Sequence, residues 1–240
     1  AILVDAGATG SAIEKALRET GQHAGALAGI LITHEHIDHI KGAGVLSRKY
    51  NLPIYANSAT WEQMQPKIGE VALHNIRIID KSEFFIGDFC VLPIELSHDA
   101  ADPVGYSLMS GNRKISILTD TGKVTPKMLD AAAGSAIVLL ESNHDVGMLK
   151  TGNYPYILKQ RIISDYGHLS NAACADILPK LAKMGTARFL LAHLSHENNT
   201  PDIALQTSLC SLTMEGLKRG LDYEIDIAPR ENTKHGTILF

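Results

Sequence analysis

Three cysteines in 240 residues, Cys90, Cys174 and Cys210, lie far apart and form no C-x-x-C pair. That spacing excludes a disulfide scaffold and a cysteine-based zinc knuckle. It suits a reducing compartment such as the cytoplasm, with the thiols as small buried hydrophobes. No apolar run approaches the roughly 18 residues of a membrane span. The first residues lack the basic region and apolar core of a secretory signal. Positive charge is not in excess either. The net charge of −4 excludes a chain that is a polyanion-binding surface as a whole, although a local basic patch remains compatible with it. Low-complexity segments and short internal repeats are also missing. What remains is an ordinary globular composition, 45% hydrophobic and 20% charged, enough to bury a sizeable core.

Against those absences stands one dense cluster. Residues 34 to 39 read His-Glu-His-Ile-Asp-His, after the apolar run Ala28-Gly29-Ile30-Leu31-Ile32-Thr33 and before a helix-like segment. His34 and His36 lie two apart, so in an extended segment they point to the same side. Asp38 and His39 follow a turn and can face a second ion. Imidazole suits zinc, iron or nickel, and a carboxylate can hold a harder ion or polarise water. A merely solvated His-rich turn would need no distant partners, so ligand-type residues elsewhere decide between the readings.

Elsewhere, strand-like and helix-like patterns alternate. Short strands are expected at 2–4, 30–33, 53–56, 76–79, 84–85, 89–95, 105–109, 114–118, 136–140, 189–192 and 223–227. Helices are expected at 11–19, 38–50, 58–65, 125–133, 170–184 and 202–218. Ser11 with Glu14 reads as a capping box, and Ser58 as a helix cap. Ser110-Gly111-Asn112 reads as a hairpin turn. The order fits one α/β domain over 1–240, two sheets face to face with helices outside. The stretch 147–167 carries a turn signal, Gly152-Asn153-Tyr154-Pro155, and is expected to run over the surface near the site. The chain opens directly on an apolar strand, Ala1-Ile2-Leu3-Val4, which suggests that one or more N-terminal strands of the domain are lacking.

Three ligand-type residues close apolar strands, where open α/β sheets place their sites. They are His98 after 91–96, Asp120 after 115–118 and His193 after 189–192. A lone histidine after a strand is usually structural, but together with the cluster these three complete two coordination sets.

With Asp5-Ala6-Gly7 ahead of it and these three after it, His34-x-His36-x-Asp38-His39 resembles the metallo-β-lactamase superfamily, over nearly the whole chain. The resemblance implies an αββα sandwich with a two-metal site on one edge. By position, His34, His36 and His98 would hold one metal, Asp38, His39 and His193 the other, and Asp120 would bridge them. Asp5 would orient a ligand imidazole from behind, or would only shape the turn before Gly7. In phosphodiesterases of this superfamily a glutamate after the corresponding strand orients a later histidine, which protonates the leaving oxygen. Glu141 and His168 match those positions. The phrases Glu141-Ser142-Asn143-His144-Asp145 and His193-Leu194-Ser195-His196-Glu197-Asn198-Asn199 resemble the YycJ/WalJ-like branch, bacterial cytoplasmic proteins regarded as 5′→3′ DNA exonucleases.

That resemblance implies phosphodiester hydrolysis with two divalent ions, zinc or manganese, iron or nickel being alternatives, and a nucleic acid substrate, DNA before RNA. Asp38 would orient the attacking water. Lys150, Lys159 and Arg161, set among Tyr154, Tyr156 and Tyr166, would suit a nucleic acid strand, unless the tyrosines pack on the sheet. The alternative chemistries are a thioester or amide hydrolase of the glyoxalase II or lactamase type, and an RNA or small-molecule phosphodiesterase. No membrane contact is expected, and the oligomeric state is not encoded. His23, His74 and His235 are expected on the surface, and Trp61 in packing.

Overall fold

The computed structural model describes residues 1–229, so His235 lies outside the described residues. The chain divides into two compact units. The first comprises Ala1–Pro93 and Ala100–Val104; the second comprises Ile94–Asp99 and the described residues from Gly105 on. Among the described residues no helix is long and apolar enough to cross a membrane.

The first unit contains β1 (Leu3–Val4), α1 (Gly10–Glu19), β2 (Ile30–Leu31), α2 (Ile37–Ile40) and α3 (Ala43–Tyr50). These are followed by β3 (Ile54–Ala56), α4 (Ser58–Ile68), β4 (Ile76–Ile78), β5 (Phe84–Ile86) and most of β6 (Phe89–Glu95). Strands β1 to β4 form a parallel sheet in sequence order, with Leu3 opposite Ile30, Ile30 opposite Ile54 and Ile54 opposite Ile76. β5 and β6 form an antiparallel hairpin. Ile30, Ile32, Leu46, Ile54, Trp61 and Met64 build the core of this unit. Each large side chain so buried contributes roughly 1.5–3 kcal/mol relative to leaving it exposed.

The second unit contains β7 (Val104–Ser110, its first residue in the first unit), β8 (Arg113–Leu118), α5 (Pro126–Ala132), β9 (Ile137–Glu141), α6 (Val146–Thr151) and α7 (Tyr156–Ile163). Then come α8 (Asn171–Ala175), α9 (Leu178–Lys183), β10 (Arg188–Ala192), α10 (Pro201–Met214) and β11 (Glu224–Ile227). The strands run β11-β10-β9-β8-β7. β8 to β11 are parallel, and β7 joins β8 as an antiparallel hairpin through the expected turn at Gly111-Asn112. Strands buried on both faces read as continuous apolar runs, as Ile137-Val138-Leu139-Leu140 does. Leu118, Met128, Leu140, Leu178, Phe189, Leu191 and Ile225 form its core.

The α/β class expected from the sequence is what the strands and helices form. Local boundaries differ for identifiable reasons. Thr9, not Ser11, caps α1, accepting from the Ala12 N–H at 3.3 Å, while Glu14 pairs with Lys49 instead of closing a capping box. Asn57, one residue before Ser58, caps α4. The helix expected over 38–50 breaks at Lys41-Gly42, because the Gly42 N–H goes to the Ala6 carbonyl at 2.7 Å rather than to its own helix. The helix expected over 170–184 breaks at Asp176-Ile177. Pro179 has no N–H to offer the Ala175 carbonyl, and the Ser211 hydroxyl donates to it at 2.8 Å. Within the stretch 147–167, α6 ends and α7 lies wholly.

Candidate functional site

Each unit carries one half of the residues singled out by the sequence. In the first, β1 and β2 are parallel, so the segments leaving their C-terminal ends, Asp5-Ala6-Gly7 and Thr33-His34, emerge side by side. Two backbone bonds stitch the Asp5 turn to α2 and α3, Ala6 N–H to the His39 carbonyl and Gly42 N–H to the Ala6 carbonyl, both at 2.7 Å. Gly7 is required there: a Cβ on it would lie 1.6 Å from the Asp38 carbonyl oxygen. Asp5 holds φ of +58° and uses both carboxylate oxygens. Oδ1 accepts from the Thr33 N–H at 2.9 Å; Oδ2 accepts from the Thr33 hydroxyl at 2.8 Å and from His39 Nδ1 at 2.7 Å. A carboxylate can only accept, so His39 carries its proton on Nδ1 and turns Nε2 outward as an electron-pair donor.

His34 and His36 meet as expected of an extended pair. His34 Nε2 lies 3.0 Å from His36 Nδ1, and the His34 and His39 rings are 4.1 Å apart. Two nitrogens each about 2.0–2.1 Å from one ion sit at nearly such a separation. The Asp38 carboxylate is 69% exposed, with Oδ2 3.9 Å from His39 Nε2. Asp38 is therefore the open member of this half.

In the second unit, three parallel strands deliver the residues. Leu118 pairs with Leu140 and Leu140 with Leu191. Asp120, Glu141 and His193 thus leave their strands at one level, and with His168 their donor atoms fall within 4.8 Å of one another. Asp120 and His193 hold φ of +62° and +57°. Among the described residues only four non-glycine positions take this left-handed conformation, and three are Asp5, Asp120 and His193. Such strain persists where surrounding bonds over-determine it; the Asn143 side chain, for one, donates to the His193 carbonyl at 2.9 Å.

Glu141 is the hub of this half and is fully buried. Its Oε1 accepts from both His168 Nδ1, at 2.8 Å, and His193 Nδ1, at 2.7 Å. Oε2 accepts from the Thr121 and Leu169 backbone N–H groups. Burial alone would raise this carboxyl, but the bonds from the two imidazoles overcome it and hold it well below its ordinary value. His98, buried, donates Nδ1–H to the Gly167 carbonyl at 3.0 Å and turns Nε2 toward Asp120 Oδ1, 3.7 Å away. His193 Nε2 faces the same oxygen at 3.5 Å. Burial lowers the pKa of His98 and favours the neutral imidazole that a metal needs. A carboxylate or carbonyl behind each imidazole, with the other nitrogen turned inward, is how metal-binding histidines are held. The donors are all imidazole and carboxylate, so the set fits a divalent cation.

Beside this half lies a cavity of about 300 Å³ whose wall includes Asn143, Tyr154, Arg161, His168, His193 and His196. Sequence reasoning missed Thr33, Thr121, Asn143 and the Gly167 carbonyl. Thr33, Thr121 and Gly167 adjoin residues it found, but all four act wholly or partly through backbone groups or a carbonyl partner that no side-chain pattern displays. It also assigned Glu141 to His168 alone, whereas His193 shares the same oxygen. His23 and His74 are exposed, and Trp61 is buried in the first core.

Comparisons with known proteins agree with this frame. Residues 1–194 match the β-lactamase superfamily domain family. Exodeoxyribonuclease YycJ of Bacillus anthracis is 40% identical over 235 residues, spanning 97% of this chain and 89% of that protein. Exodeoxyribonuclease WalJ of Streptococcus pneumoniae is 40% identical over 233 residues, 95% of this chain and 86% of that protein. Among solved structures, the metallo-β-lactamase fold protein YhfI from Bacillus subtilis superposes with a TM-score of 0.67 at 19% identity, covering 95% of this chain and 84% of that one. A diphosphatase of the PhnP family gives 0.62 at 20% identity, covering 95% and 76%. Identities that low speak for the fold and nothing finer. A family match over most of the chain and curated relatives this similar place it: the chain belongs to the metallo-β-lactamase superfamily, in its YycJ/WalJ-like branch.

Proposed function

We propose that this chain is a metal-dependent hydrolase of DNA phosphodiester bonds, removing nucleotides from a 5′ end. The names of the two relatives, at 40% identity over nearly the whole chain, support the substrate. In this reading His34, His36 and His98 hold one divalent ion, Asp38, His39 and His193 a second, with Asp120 shared and zinc or manganese as the ions. Such ions, when bound, lower the pKa of water and neutralise charge on phosphoryl oxygens.

The remaining work falls to the side chains. Asp38, exposed at the rim, accepts a hydrogen bond from the attacking water and aims it. His168, with Nδ1 fixed on Glu141, presents Nε2 and gives its proton to the departing sugar oxygen. Glu141, kept ionised, stabilises the imidazolium from which that proton leaves. The observation that carries this reading is the Glu141 oxygen shared by His168 and His193, which ties a proton donor to a ligand-type imidazole. A thioester hydrolase, whose thiolate departs without a proton, has no use for a held acid.

The test is digestion of 5′-phosphorylated single- and double-stranded DNA, of RNA and of a thioester by protein loaded with Mn²⁺ or Zn²⁺. Mononucleotides released from the 5′ end of DNA, abolished by chelation, are expected. Turnover of the thioester or of RNA with none of DNA would overturn the reading.

A further inference from the structure

We infer that α7, the turn before it and the end of α6 form a platform for single-stranded nucleic acid, on which Tyr156 and Ile157 receive bases and Lys150 receives a phosphate. This rests on the phosphodiesterase reading above and names how that site grips its substrate.

Three independent observations converge on the segment. The first is charge. Residues 146–164 contain Lys150, Lys159 and Arg161 and no acidic residue, in a chain whose net charge is −4. Lys159 Nζ donates to the Lys150 and Gly152 carbonyls at 2.8 and 2.7 Å, so its charge is held in place without being neutralised by a carboxylate. A polyanion is the partner such a segment complements.

The second is exposure. The tyrosines could have packed on the sheet, and Tyr154 is indeed half-buried in the cavity wall. Tyr156 and Ile157, however, are 74% and 82% exposed, and α7 buries none of its residues. Leu158, Arg161 and Ile162 recur at helical spacing and face the cavity beside His168. Tyr156, Gln160 and Ile163 share another face, turned away from it. An exposed ring next to an exposed branched aliphatic, on a basic helix, is a surface for stacking bases.

The third is attachment. The platform is not a loose appendage. Arg161 is ion-paired with Asp99, the neighbour of His98. At its other end the His168 N–H donates to the Ile162 carbonyl at 2.9 Å, and a Cβ on Gly167 would lie 2.2 Å from the Arg161 and Ile162 carbonyl oxygens. The C-terminal end of the helix is thereby fixed to the turn that carries His168.

The test compares wild type with the double variant Tyr156→Ala/Ile157→Ala and with Lys150→Glu, all on solvent-exposed side chains. Binding of a 5′-labelled single-stranded DNA oligonucleotide is followed by fluorescence anisotropy in chelator, where no cleavage occurs. Turnover of bis-p-nitrophenyl phosphate, too small to reach the platform, is followed with metal. We expect at least tenfold weaker DNA binding in both variants and unchanged turnover of the small diester. Equal DNA binding by wild type and variants overturns the platform while leaving the phosphodiesterase reading intact. A wild type that binds no single-stranded DNA overturns it as well. A wild type that binds DNA through the platform yet hydrolyses neither DNA nor the small diester overturns only the function proposed above.

Discussion

The two sets of candidate residues, one in each unit, are built from opposite kinds of sequence. In the first unit, four of the five candidate residues are packed into residues 34 to 39, and one carboxylate, Asp5, steadies them through Thr33 and His39. In the second, every candidate comes from a different strand end or loop, and one fully buried carboxylate, Glu141, gathers them. The contrast teaches a division of labour. Asp5 reaches one imidazole, and on the proposed function it would serve metal binding alone. Glu141 reaches two, and on that same reading only the second set would couple ion binding to proton transfer.

The largest expected effect tests that coupling directly. His168→Ala should lower turnover of DNA by roughly 10²–10⁴-fold, the usual worth of a positioned general acid, and lower that of bis-p-nitrophenyl phosphate far less, because p-nitrophenolate departs without a proton. Bound metal, measured by atomic absorption, should not change. Unchanged turnover of DNA would remove the distinction between the two sets and reopen the thioester and amide alternatives.

A second difference lies in the histidines outside the ligand sets. Those of the first unit, His23 and His74, are exposed, whereas His144 in the second is buried and its Nδ1 has no hydrogen-bond partner. Burial outweighs the opposing pull of the Glu141 charge and lowers the pKa of His144 from 6.5 to about 4. Folding thus favours neutral His144. That contribution is complete above pH 6.5 and is lost as pH falls toward 4, up to about 3 kcal/mol in all. In metal-free protein, wild type should lose more stability than His144→Gln between pH 7 and pH 4.5 by chemical denaturation. Parallel pH profiles would show that His144 is not kept neutral by the fold.

Asp5→Asn and Glu141→Gln set the two hubs against each other. Either amide places a donor against a donor, facing His39 Nδ1 or Thr33 in one case, and the imidazoles or the Thr121 and Leu169 N–H groups in the other. Each should weaken metal binding by about 10–100-fold, as losses behind a metal ligand do. The prediction separates them at saturating metal. Asp5→Asn should recover near wild-type turnover, and Glu141→Gln should not, because His168 has also lost its partner. Recovery of both would mean that Glu141 serves only the ion.

The same contrast decides what could be read from the sequence. The first half was legible because a strand followed at once by a helix keeps its donors within six positions, and the period of two carries His34 and His36 to one side. His98, Asp120 and His193 were legible only as ends of apolar strands. What makes Asp120 and His193 converge is that β8, β9 and β10 run parallel and in register, a property of tertiary pairing that no local pattern encodes. For the same reason Glu141 could be paired with His168 by resemblance but not with His193. The helix break at Gly42 was hidden because it depends on the carbonyl of Ala6 in a distant segment, whereas the break before Pro179 had a visible signal in the proline itself. The left-handed φ of Asp5, Asp120 and His193 leaves no trace in residues that adopt other conformations as readily.

The smallest effect separates the halves by the kind of group that supports each hub. Asp5 relies in part on a side chain: besides the Thr33 N–H, the Thr33 hydroxyl donates to Oδ2 at 2.8 Å and also lies 3.0 Å from His34 Nδ1. Glu141 relies on backbone: it takes the Thr121 N–H, while the Thr121 hydroxyl donates to the Lys123 carbonyl. Thr33→Val, nearly isosteric, should therefore remove about 1 kcal/mol of support and weaken metal binding roughly fivefold. Thr121→Val keeps the N–H and should leave metal affinity as it was, whatever it costs in stability. Metal titrations of the two variants read the difference. If Thr121→Val weakens binding as much as Thr33→Val, the backbone is not what holds Glu141, and the two hubs are more alike than their bonds suggest.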